Sequence, residues 1–113
     1  MVKMKILKFT AVLTSLLWSV GAIASGGIVG EISSINIKET GYIFVQLKAA
    51  HNNPDNCQNN NNVVFTHSHI AKKELLTVAL AAKTSGKESG FWLSGCYEAY
   101  GSSYAIAITT QIK

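Results

Sequence analysis

The chain has 113 residues, a net charge of +4 at pH 7 and ten basic residues, all of them lysine. That length predicts one domain. Three of the lysines (Lys3, Lys5, Lys8) fall in the first eight residues. The other seven stand against six acids, leaving a nearly neutral body without arginine. Arginine is the residue best suited to bidentate phosphate and base contacts, so this balance argues against a nucleic-acid partner.

The opening reads as a targeting segment. Three lysines and no acid precede the apolar run FTAVLTSLLWSV, and Ala22-Ile23-Ala24 supplies a small-x-small cleavage pattern. This order predicts a secretory signal peptide over residues 1–24, cleaved after Ala24. The apolar run is shorter than the roughly 20 residues of a membrane-spanning helix, so no span is expected after cleavage. No cysteine sits at the cleavage point, where Ser25 follows Ala24, which argues against a lipid anchor. The mature chain, residues 25–113, is expected to be exported, to the periplasm or beyond the cell. It holds two cysteines, Cys57 and Cys96. An even count in an exported chain points to one disulfide, and the spacing excludes a C-x-x-C redox or zinc motif. Closing a loop of about 40 residues is worth roughly 4 kcal/mol in the chain-entropy model. That is a large part of a total stability of about 5–15 kcal/mol.

The elements follow in order. Ser25-Gly26-Gly27 reads as a flexible start. IVGEISSINIKE, residues 28–39, alternates as a strand, but its phase slips at Ser33-Ser34. Ile28, Gly30 and Ile32 share one face, then Ile35 and Ile37, so a bulge or bend is predicted there. Glu39-Thr40-Gly41 forms a turn, and residues 42–48, YIFVQLK, form a second strand with Ile43, Val45 and Leu47 on one face. Residues 51–62 carry seven asparagines and the only proline and read as a polar loop. A short third strand is predicted over residues 63–66. The amphipathic helix of the chain falls within residues 67–87. Its apolar stripe is Ala71, Leu75, Val78, Ala79 and Ala82, widened by Leu76 and Leu80. Thr66 or Ser68 is expected near its start, and Gly86 just past its end. A fourth strand, residues 90–96, is expected to stop at Cys96 after Gly86 and Gly90 turn the chain. YEAYGSS then turns into a last strand, residues 104–112.

Three strands, one helix and two strands are the order of a five-stranded OB-like barrel, with the helix between strands 3 and 4 capping its open end. An open sheet covered by one helix is the rival. The bent first strand favours the barrel, because that strand must pair on both sides.

The stretch KKELLTVALAAKTSGKESGFWLSGC, with Leu75, Leu76, Ala79, Ala81, Ala82, Ser85-Gly86-Lys87 and Gly95-Cys96, resembles small exported bacterial proteins of unknown function with an OB-like fold. The motif covers about 25 residues. In layout, over most of the mature chain, the sequence more distantly resembles the OB-fold B subunits of AB-type toxins such as subtilase cytotoxin. Those subunits bind host glycans and are not enzymes. The resemblance implies the barrel and the Cys57–Cys96 pairing. No glycan-binding residue is carried over, because no such motif is matched.

Two clusters could carry chemistry. His67-Ser68-His69 would place both imidazoles on one side of an extended segment, within reach of one metal ion. His51, Asp55 or Glu74 would have to supply a third ligand; the alternative is a polar entry to the helix. Trp92, Tyr97, Tyr100 and Tyr104, with Phe91, make the region around the last turn rich in rings whose polar tips suit a sugar or a protein surface. Alternation places Phe91 and Leu93 on one face and Trp92 on the other; packing is the competing role for the set. No G-x-S-x-G elbow, paired-acid arrangement or phosphate loop is present, so no catalytic residue and no cofactor are expected. The expectation is a non-catalytic exported binding module for a glycan or a protein partner. The alternatives are a structural or accessory envelope protein, in which a homo-oligomer could form through an exposed edge strand, and a histidine-based metal-binding protein.

Overall fold

The structure is a computed structural model and describes residues 25–113. The expected signal peptide lies outside the described residues. Five strands and one helix follow in the order β1 (Ser25–Ile37), β2 (Ile43–Leu47), β3 (Asn59–Phe65), α1 (Lys72–Ser85), β4 (Glu88–Ala99) and β5 (Ser102–Ile112). The strands close into a barrel in the order β1-β2-β3-β5-β4, with every pairing antiparallel except β3 with β5. This is the expected OB-like barrel with its helix between strands 3 and 4, and closure leaves no sheet edge running its full length.

The phase slip in β1 is the hinge of the design. Ser25 to Glu31 pair with β4, whereas Ile32 to Ile37 pair with β2, and the register shifts between Ile32 and Ser34. One extra residue lets a single strand serve both walls. The three opening residues are not a loose start: Ser25, Gly26 and Gly27 pair with Ser94, Leu93 and Trp92. Inside, Ile32, Val45, Leu47, Val63, Phe65, Phe91, Leu93, Ala105 and Ala107 form one core with Leu75, Ala79 and Ala82 of α1. Burial of this apolar surface is the main drive for folding. The stripe is narrower than expected: Leu80 stays 46 % exposed and Val78 only half buried.

Several element ends differ from expectation; the turn read over residues 97–103 is only Tyr100 and Gly101, because Ala99 pairs with Ser102. Asn59–Asn62 belong to β3, not to the loop. Asparagine has low strand propensity. Here Asn59 Oδ1 accepts from the Asn61 and Asn62 backbone N–H groups and from Asn62 Nδ2, while pairing to Gln46 and Tyr104 extends the segment. The strand β4 does not stop at Cys96. Its register shifts between Leu93 and Cys96, where Gly95 has φ 85°, and it continues to Ala99. Gly90 turns nothing; it pairs with Val29 and Gln111 inside β4. The helix begins later than residue 67, with Ala71 at its N-cap and no side-chain cap from Thr66 or Ser68. At its other end Gly86 adopts the left-handed conformation (φ 72°), and its N–H reaches back to the last turn.

Cys57 and Cys96 form the disulfide, with Cα atoms 5.7 Å apart. Beside it the Gly95 N–H donates to Asp55 Oδ2 at 2.7 Å, and Cys57 N–H donates to Asn53 Oδ1. The loop from Ala49 to Gln58 is thus fastened to the bulge of β4. His51, buried on the inner side of this loop, has Nε2 3.1 Å from the Asn62 carbonyl oxygen. Among the described residues no helix is long and apolar enough to cross a membrane.

Candidate ligand-binding groove

The outward faces of β1, β2, β3 and β5 build a grid. Residues of β2 alternate, so Ile43, Val45 and Leu47 point inward and Phe44 and Gln46 outward. After the bulge, β1 sets Ser34 opposite Gln46 and Asn36 opposite Phe44. Asn62 of β3 lies on the other side of Gln46. Tyr104 of β5 pairs with Tyr97 of β4. Lys38 at the β1–β2 turn and Tyr100 at the β4–β5 turn meet each other across the lining. Together Ser34, Asn36, Lys38, Phe44, Gln46, Asn62, Tyr100 and Tyr104 line a groove of about 300 Å³.

The floor of this groove is aromatic. Phe44 is only 7 % exposed although it lies outside the main core, because three tyrosines surround it. Its ring meets Tyr104 edge-on at 5.0 Å, Tyr97 at 6.2 Å and Tyr100 at 5.9 Å. Edge-to-face contacts of this kind add to simple burial. Lys38 Nζ lies 5.4 Å from the Phe44 ring centre and 5.1 Å from that of Tyr100. Ammonium groups at that distance are attracted by the ring faces. The polar wall is fixed as well: Ser34 Oγ donates to Gln46 Oε1 at 3.3 Å, and Ser33 Oγ donates to the Gln46 carbonyl at 3.2 Å. The rings continue past Phe44, since Tyr97 stacks on Tyr42 at 4.1 Å and Tyr42 contacts His67 at 5.1 Å. Partial desolvation, then the neighbouring Tyr42 and Tyr100 phenols, push the Tyr97 hydroxyl above the usual tyrosine range.

The structure separates the aromatic set read from the sequence. Tyr97, Tyr100 and Tyr104 come together; Trp92 does not join them. Alternation is as expected, with Phe91 3 % and Leu93 0 % exposed against 45 % for Trp92. The indole faces outward on the β1–β4–β5 wall and lies across Gly27 of the neighbouring strand. A Cβ on Gly27 would come within 3.3 Å of its ring. Trp92 and Gly27 therefore pack as a cross-strand pair, and a separate cleft with Val29, Thr109 and Gln111 adjoins them. Tyr42, Phe44, Lys38, Asn36 and Gln46 were not singled out in the sequence. Alternation marked Phe44 and Gln46 as outward, but only barrel closure shows which outward residues are neighbours.

The two candidate metal ligands have different surroundings. His69 Nε2 lies 3.2 Å from the Ile108 carbonyl oxygen, and its Nδ1 accepts the Ala71 N–H at 3.0 Å. Both nitrogens are thus engaged by backbone groups, one on β5 and one at Ala71, just ahead of α1. His67 instead faces Tyr42. Among the described residues no group of three His, Cys, Asp or Glu side chains could hold a metal ion.

No protein-family model matches the chain, and a search of curated proteins returns no match.

Proposed function

We propose that the protein is an exported, non-catalytic binding module whose ligand is a glycan held in the groove between the β1–β2 and β4–β5 turns. The observation that carries this reading is the composition of the groove: aromatic rings of Phe44, Tyr100 and Tyr104 beside side-chain amides and a hydroxyl from Asn36, Gln46, Asn62 and Ser34. A sugar ring has an apolar C–H face and a rim of hydroxyls, so it needs both kinds of surface at once. The outer face of strands 2 and 3, flanked by the loops after strands 1 and 4, is also where OB-type barrels take oligosaccharides and oligonucleotides. The absence of arginine and the near-neutral body of the chain favour the sugar. The basic, apolar, small-x-small opening supports export, and the distant resemblance in layout to glycan-binding toxin B subunits is in keeping with a sugar ligand. The purified protein on a printed glycan array should bind a restricted group of sugars, and Asn36→Ala with Gln46→Ala should remove that signal. Silence across the array would refute the glycan reading.

A further inference from the structure

The β4–β5 connection has only two residues, since Ala99 pairs directly with Ser102. Both of them, Tyr100 (φ 51°) and Gly101 (φ 72°), have positive φ. Two positive angles in a two-residue hairpin are the pattern of a type I′ turn, in which Asn-Gly is the favoured pair. Glycine satisfies the second position. Tyrosine at the first is a bulky side chain in the left-handed region, which costs free energy that asparagine would largely avoid. Only two residues other than glycine, among those described, have positive φ; the other is Asn56, the residue type that tolerates it. Strain of this kind persists where the surrounding structure or a function holds it in place. Local packing is an incomplete explanation here, because Tyr100 remains 64 % exposed although its ring touches Phe44 and the ammonium of Lys38.

We infer that Tyr100 is the ligand-recognising residue of the groove, and that the strained turn exists to hold its ring outward over the Phe44 platform. The turn fixes the direction of the Tyr100 Cα–Cβ bond, and the contacts with Phe44 and Lys38 orient the ring, so part of the ordering cost is met before a ligand arrives. Lys38 lies over the same ring from the opposite turn. A sugar ring stacking there displaces the ammonium from the aromatic face, and its hydroxyls become the acceptors that the ammonium then meets. This inference rests on the glycan reading of the groove and assigns the residue on which affinity depends.

The test is Tyr100→Asn, which relaxes the turn while removing the ring. The full-length gene is expressed, and parent and variant are purified from the exported fraction. Each is titrated with galactose, glucose, mannose, N-acetylglucosamine and N-acetylneuraminic acid, followed by backbone amide shifts, and melted under oxidising conditions. The expected result is a variant that melts several degrees higher and binds the parent's sugar at least tenfold more weakly. A variant that melts lower would show that the tyrosine serves the fold, and the inference fails while the glycan reading stands. Undiminished binding by the variant would overturn it in the same way. A parent that binds none of the five sugars and is silent across the glycan array removes the glycan reading, and this inference with it.

Discussion

At the scale of single residues, the histidines show how a backbone partner settles what a side chain does. Residues 67 and 69 were candidates for one metal because an extended segment points alternate side chains the same way. The chain turns at this point instead, and His69 spends both ring nitrogens on backbone groups of β5 and α1. No pattern in the sequence signals this, since the Ile108 carbonyl is 39 residues away. Tyr97 offers a test at the same scale. Its proton is held more tightly in the folded protein than in the unfolded chain, whose tyrosines titrate near pH 10. The folded state therefore loses relative stability as pH rises from that value toward the raised one. We expect ultraviolet titration at the phenolate band to show one late tyrosine, absent in Tyr97→Phe, and the alkaline loss of stability to be smaller in that variant. Coincident titration curves for the two proteins would contradict the shift.

At the scale of elements, local chemistry fixed some boundaries and pairing fixed others. The end of α1 was legible because Gly86 is the residue that takes a left-handed cap without cost. Nothing lies within 4 Å of a Cβ built there, so Gly86→Ala tests the backbone alone. It should destabilise the domain by about 1 kcal/mol, measured by urea unfolding; an unchanged midpoint would mean that the cap does not need this conformation. The bulge in β1 was legible for a similar reason: an apolar pattern of period 2 that slips by one leaves an extra residue to accommodate. The start of β3 was not legible. Four asparagines in a row signal a loop, and they become a strand only because Gln46 and Tyr104 offer partners on either side. The run from Tyr97 to Ala99 was not legible either: the strand reads as stopping at Cys96, but the bulge at Gly95 lets it continue.

At the scale of the whole molecule, the disulfide joins the long polar loop to the far strand of the barrel across 39 residues of sequence. Replacing both cysteines, Cys57→Ala with Cys96→Ala, should lower stability by roughly 4 kcal/mol in the chain-entropy model. Thermal unfolding under oxidising conditions checks this, and equal melting temperatures for variant and parent would refute it. The Asp55 contact to the Gly95 amide sits beside the bridge and should hold part of the loop in place without it.

The sequence by itself determined the order of elements, the inward faces of β2 and β4, the helix stop and the one disulfide. Each of these follows from local periodicity, from a residue's own backbone preference or from counting. From the strand order and the bent first strand it also implied a closed barrel. In β5, by contrast, the small Ala105 and Ala107 turn inward, and Ile37 of β1 and Ile108 of β5 are exposed. The groove was decided only by tertiary structure. Its walls come from β1, β2, β3 and β5, and a period-2 pattern states which residues face outward but not which strand lies alongside. Closure brings Phe44 beneath Tyr100 and Tyr104, leaves Trp92 on another wall against Gly27, and places Lys38 above a ring 62 positions further along the chain. Such neighbours depend on register and shear, which are set by the packing of the whole barrel rather than by any single segment.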